Sequence, residues 1–179
     1  MAIDLNTLVP EFKAKVEQLL ANCKTAGYPM SPNYAIRKPV DQAKLWRQSR
    51  SGAVVQQKID DLRAQGCDFL ADAIVAAGPQ NGPHVTNAIP GLSWHQWGEA
   101  LDCVWIVDGK DNWSLDLKVN GKNGYAVYAD QAEAIGLNAG GHWVSFKDWP
   151  HVQLRSAANP LNVMTLKQVN DTMKQRFGS

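Results

Sequence analysis

The sequence predicts an α+β fold, a single domain with helices packed on a small, mostly antiparallel sheet. Three observations predict it. Segments with apolar residues three and four apart fill the chain up to residue 77. Short β-branched and aromatic runs come only later, at residues 101–107 and 151–154. The length of 179 residues suits one core, or a core with a short appendage, better than two independent ones.

Leu5, Leu8, Val9, Phe12, Val16, Leu19, Leu20 and Cys23 recur at helical spacing, which gives an amphipathic helix ending near Gly27. Pro39 suits a first helical position and opens a second helix, through DQAKLWRQSR to Gly52. A third is expected over residues 55–77, with Ile59, Leu62, Phe69, Leu70, Ala73 and Ile74 inward and Gly78-Pro79 as its stop. Residues 78–93 (GPQNGPHVTNAIPGLS) read as a loop, long enough for a functional one. A strand follows at 101–107 (LDCVWIV), then an exposed connection, DGKDNWSLDLKVNGKNG, with room for a short hairpin. Residues 125–137 form a helix stopped near Asn138-Ala139-Gly140-Gly141, and 151–154 a short strand. Thr165 and Gln168 make a capping box for a last helix carrying Leu166, Val169, Met173 and Phe177.

Composition removes several classes of function. Hydrophobic residues are 45% and charged residues 20%, an ordinary globular mixture. Eighteen Lys and Arg against seventeen Asp and Glu leave a net charge of +1, which argues against a nucleic-acid binder with a broad basic surface. No apolar run approaches the roughly 18 to 20 residues that span a bilayer, so membrane insertion is not expected. The opening MAIDLNTLVPEFKAKVEQLL lacks a basic stretch followed by a continuous apolar one, so synthesis in the cytoplasm without a signal peptide is expected. Cys23, Cys67 and Cys103 fit neither a zinc-finger spacing nor CxxC and read as buried thiols.

Chemistry concentrates in two stretches. Ser93-Trp94-His95-Gln96-Trp97-Gly98-Glu99-Ala100-Leu101-Asp102 places a His and an Asp seven apart, running from loop into strand. Lys147-Asp148-Trp149-Pro150-His151-Val152-Gln153 adds a second His and another Asp. Two imidazoles and one carboxylate are the ligand set of a catalytic zinc site, in which the metal brings the pKa of water to about 7 and polarises a carbonyl. Asp148 is placed to act as a base not itself bound to metal, or else to cap the turn before Pro150. Alternation along a strand puts His151 and Gln153 on one face.

S-x-H-x-x-G-x-A-x-D, matched by Ser93, His95, Gly98, Ala100 and Asp102, resembles a motif of the LAS metallopeptidases, as does D-x-P-H-x-Q at Asp148, Pro150, His151 and Gln153. That group holds D-Ala-D-Ala carboxypeptidases and dipeptidases, phage L-alanyl-D-glutamate endopeptidases and the amino-terminal domain of sonic hedgehog. Upstream, Arg37, Gln42, Leu45, Trp46 and Arg50 are similar to the family's R-x4-Q-x2-L-Y-x-x-G-R, with Trp46 in place of Tyr and Ser49 in place of Gly. An Asp at the base position and the run GGHWVSFKDWPH resemble the phage-endolysin branch.

The resemblance implies a hedgehog/D-Ala-D-Ala-peptidase-like fold, one zinc ion held by His95, Asp102 and His151, and Asp148 as general base. Arg37 would reach the substrate carbonyl or steady the transition state; its other reading is an ion pair with Asp41. Ser93 and Gln42 would support the site, while His84 and His142 fall outside the motifs. The function implied is a zinc endopeptidase acting on bacterial peptidoglycan, cutting stem peptides at the L-Ala–D-Glu bond as a phage endolysin. It would act as a monomer on the wall after release, from a single catalytic domain over 1–179 with no separate wall-binding domain. The rivals are a D-Ala-D-Ala carboxypeptidase or dipeptidase, and a non-catalytic zinc-bearing binding protein on the same scaffold.

Overall fold

Pro10 needs no amide partner at a first helical position, so α1 runs Pro10–Thr25 rather than from Leu5. Leu5–Thr7 is a separate 3-10 turn whose cap is Asp4. Phe12, Val16, Leu19 and Cys23 form the buried stripe of α1. The computed structural model describes residues 3–178; Met1, Ala2 and Ser179, at the ends of the expected domain, lie outside the described residues.

The chain gathers into two compact units: one ends at Ile36 and resumes over Trp97–Ser156, the other holds Arg37–Gln96 and resumes at Ala157. The first is the α+β part. It contains β1 (Met30–Tyr34), β2 (Ala100–Val107), β3 (Lys110–Asn112), α5 (Gly124–Ala134), β4 (Asn138–Ala139) and β5 (His151–Gln153) besides α1. The strand order is β1-β2-β5-β4 with β3 also on β2, and every pairing is antiparallel. Two of these strands, β1 and β4, were not expected from the sequence.

The pleat divides this sheet into a packing face and a working face. Leu101, Cys103, Trp105 and Val152 join α1 and the α5 residues Tyr125, Tyr128, Ala129 and Ala132 in one buried core. Ala100 and Asp102 alternate with them, and the ladder sets Ala100 opposite Gln153 and Asp102 opposite His151. On the outer strands, Tyr34 pairs with Asp102 and Asn138 with Gln153.

The second unit is helical: α2 (Pro39–Arg47), α3 (Gly52–Ala64), α4 (Asp68–Ala76) and α6 (Leu166–Phe177). The single helix expected over 55–77 is two, because Gly66 at φ +69 closes α3 while Cys67 donates its N–H back to Leu62. Helix α4 packs against α2, α3 and α6, burying Leu70, Ala71, Ile74, Val169 and Met173. Asn170 on α6 accepts the Leu70 N–H at 3.2 Å, satisfying an orphan donor in the first turn of α4. Thr165 and Gln168 form the expected capping box of α6. All three cysteines are free thiols and buried, as expected. Among the described residues no helix is long and apolar enough to cross a membrane.

Candidate metal and catalytic site

His95 sits on a 3-10 turn, Trp94–Trp97, at the end of the long loop. Side chains, rather than a ladder, fix that turn. The buried Gln96 accepts the Gly91 N–H at 2.8 Å, and Trp94 donates from Nε1 to the Ala157 carbonyl at 2.8 Å. Gln42, fully buried on α2, donates to the Ala88 carbonyl at 2.8 Å. Arg50 stacks 4.6 Å over the Trp46 ring and donates to the carbonyls of Trp46 and Thr86. The upstream motif is therefore a clamp on the loop that leads to His95. Ser49 adopts φ +63, the left-handed conformation for which the family's glycine is suited.

After the turn the chain must bend sharply into β2. Gly98 does this at φ +72, where a Cβ would stand 2.8 Å from the Thr7 carbonyl oxygen. Its own carbonyl accepts the Val9 N–H at 3.0 Å. That close approach accounts for the motif glycine.

Asp102 and His151 are brought together by strand register. His151 Nδ1 lies 3.0 Å from Asp102 Oδ1, and its Nε2 lies 3.2 Å from Gln153 Oε1. Burial alone lowers the His151 pKa, but the bond to Asp102, the Asp102 charge and then the Asp148 charge outweigh it, and the net shift is upward. The ligating atoms of His95, Asp102 and His151 all lie within 4.8 Å of one another, with both imidazoles buried, at 3% and 7% exposure.

This donor set fits a divalent cation. Both His151 nitrogens face oxygen acceptors, yet a neutral imidazole carries one proton, so either a second proton or a cation must lie between the ring and Asp102. Two imidazoles and a carboxylate are also the donors a catalytic zinc takes.

Asp148 is held beside His151, whose pKa its charge raises, by a turn seated on Gly140. It donates its N–H to the Gly140 carbonyl at 3.0 Å, and its own carbonyl accepts the His151 N–H at 3.1 Å. A Cβ on Gly140 would collide with the Asp148 carbonyl, and one on Gly141 would stand 2.6 Å from the Trp149 ring. The Gly-Gly pair in GGHWVSFKDWPH is thus a bed for the Asp148–Trp149 segment.

Arg37 donates its backbone N–H to the His95 carbonyl at 3.3 Å and its Nη1 to Gln42 Oε1 at 3.0 Å. Asp41, its alternative partner, pairs with Lys44 at 2.9 Å. The Ser93 carbonyl accepts the Gln96 N–H at 3.0 Å, opening the turn. His84 is exposed in the loop. His142 lies between Asp130 (3.2 Å) and Glu133 (2.9 Å) of α5, outside the three-residue group. Trp143 shields the site face: its ring centre is 5.2 Å from that of His151, and its Nε1 donates to Asn138. The partners of Gln153 and the shield by Trp143 were not read from the sequence; the only available signal was the fixed Gln in D-x-P-H-x-Q.

A family model described as VanY, D-alanyl-D-alanine carboxypeptidase, matches residues 5–140. The chain belongs to the VanY family. That match takes in Arg37, His95 and Asp102 and stops before Asp148 and His151. Among curated relatives, the peptidoglycan L-alanyl-D-glutamate endopeptidase CwlK of Bacillus subtilis (strain 168) is 29% identical over 119 residues, 56% of this chain and 71% of its own. The crystal structure of the Serratia marcescens L-Ala D-Glu endopeptidase ChiX superposes with a TM-score of 0.50 at 20% identity, covering 84% of this chain and 83% of that one. A vancomycin-resistance D,D-pentapeptidase solved in complex with Zn(II) is 14% identical with a TM-score of 0.44, covering 94% and 79%. Membership of the VanY family makes this chain an enzyme, a peptidase of the LAS metallopeptidase type.

Proposed function

We propose that this chain is a zinc-dependent endopeptidase that cuts peptidoglycan stem peptides between L-Ala and D-Glu, deployed as a phage endolysin. The observation that carries the reading is the meeting of His95, Asp102 and His151 within 4.8 Å. The choice of bond is supported by CwlK and ChiX, both described as L-Ala–D-Glu endopeptidases. The endolysin role is supported by the Asp148 base and the GGHWVSFKDWPH run, and implies action on the wall after release from the host cytoplasm.

His95, Asp102 and His151 would hold the ion, which when bound acidifies water and polarises the scissile carbonyl. Asp148 takes a proton from the attacking water on its carboxylate and returns it to the leaving nitrogen. The Arg37 guanidinium, steadied by Gln42, is the fixed positive charge for the oxyanion. Trp143 covers one side of His151 and keeps water from that face.

The test is digestion of purified muropeptides with and without a chelator, read by product mass. Release of fragments with a free D-Glu amino terminus, abolished by the chelator and restored by zinc, is the expected result. Loss of a terminal D-Ala with the L-Ala–D-Glu bond intact would instead establish the carboxypeptidase activity in the family's description.

A further inference from the structure

We propose that Gln153 is a positioning residue for the metal centre: it holds His151 in the Nε2–H tautomer, which makes Nδ1 the ligating atom. The proposal deepens the zinc reading above and rests on it.

A chain of hydrogen bonds runs to His151 from just beyond the end of β5. Glu99 accepts two bonds from the Arg155 guanidinium, at 2.6 and 3.1 Å, and its carbonyl accepts the Leu154 N–H at 2.9 Å. Those bonds fix the Arg155 backbone. The Arg155 carbonyl accepts the Gln153 side-chain Nε2–H at 2.6 Å. A carbonyl only accepts, so the amide must turn its NH2 toward Arg155 and its Oε1 toward His151. Oε1 in turn only accepts, so the imidazole nitrogen 3.2 Å away, Nε2, must carry the proton. The lone pair of the neutral ring is then on Nδ1, the nitrogen facing Asp102. A hydrogen bond to the outer nitrogen also makes the inner one a stronger donor to metal.

The same register explains a second motif residue. Ala100 stands directly across the ladder from Gln153, and both are buried, with Gln153 at 2% exposure. Opposed side chains have Cβ atoms only about 5 Å apart, so a branched residue at 100 would take the volume that Gln153 fills. Ala100 is small to leave the Gln153 side chain room beside His151.

Two measurements on the full chain test this. In the first, long-range proton–nitrogen NMR spectra of the wild-type protein locate the His151 proton before and after zinc addition. A proton on Nε2 with the zinc-induced shift on Nδ1 is expected; zinc on Nε2 would overturn the assignment. In the second, zinc affinity is measured by chelator competition on wild type, Gln153→Met, Gln153→Glu and Ala100→Val, with the melting of each zinc-free protein as a check on the fold. Gln153→Met and Ala100→Val are expected to weaken zinc binding by about 10- to 100-fold, whereas Gln153→Glu, which keeps an acceptor at His151, stays within a few-fold of wild type. Affinity of the folded Gln153→Met protein within about twofold of wild type would overturn the proposal while leaving the zinc reading intact. A wild-type chain that binds no zinc would remove that reading itself.

Discussion

The sheet unit and the helical unit hold their functional side chains by different physical means. In the sheet unit, Asp102 and His151 face each other because two backbones are paired in register, so their placement depends on main-chain hydrogen bonds that most substitutions leave alone. In the helical unit, His95 rides on a loop-borne turn held by side chains: Gln42, Arg50, Trp94 and Gln96 each bond a loop or backbone carbonyl or amide. A ladder tolerates change at its neighbours; a clamp fails one bond at a time. The sheet side is therefore expected to be robust except at the reacting groups, and the loop side to be sensitive at residues that never touch substrate.

Asp148→Ala tests the first half of that contrast and carries the largest expected effect. It removes the proposed proton-transfer group without disturbing the ladder, so muropeptide hydrolysis should fall by about 10²- to 10⁴-fold while bound zinc, measured by metal analysis, is unchanged. Hydrolysis at nearly the wild-type rate would show that Asp148 is not the base. Gln96→Ala tests the second half. It strips the buried Gly91 N–H of its acceptor, with an expected loss of about 1–3 kcal/mol in denaturant melts. Activity of the protein that remains folded should also drop, because the turn carrying His95 is loosened; full specific activity would mean that the turn does not need the clamp.

Smaller effects sharpen the comparison. Ser49 occupies a left-handed conformation at φ +63, so Ser49→Gly should stabilise the helical unit by about 1 kcal/mol, read as a raised melting midpoint. In the sheet unit, burial pushes the Cys23 and Cys103 thiols up to about 12 from 9.0. Groups raised on folding contribute stability that is whole below the unfolded pKa and is lost as pH climbs toward the folded one. Urea midpoints should thus be insensitive to these thiols at pH 8 and decline between about pH 9 and 12, with thiol reagent uptake only on unfolding.

Legibility in the sequence followed the same division. Local signals were sufficient for the body of α1 and for the capped α6, but not for the start of α1, where Leu5, Leu8 and Val9 keep helical spacing without being in the helix. The break at Gly66 was hidden because apolar spacing continues across it from Leu62 to Leu70. Strand β1, MSPNY, has little strand character of its own; pairing with β2 makes it a strand, with an irregularity between Pro32 and Tyr34. At the site, the ligand types and spacings marked His95, Asp102 and His151 before any geometry was known. What the spacing did not disclose was why Ala100 and Gln153 accompany them, since they are neighbours only through the β2–β5 register. Of the two readings of Arg37, neither could be chosen from spacing, since its bond to Gln42 and the pairing of Asp41 with Lys44 are both set by the turn of α2.

The most direct measurement is zinc per chain after dialysis against a weak chelator, for wild type and for His95→Ala, Asp102→Ala and His151→Ala. One ion in the wild type and none in each variant is the expected result, since two remaining ligands make a poor tetrahedral site. Zinc retained at wild-type stoichiometry in any of the three variants would contradict a centre built from these side chains.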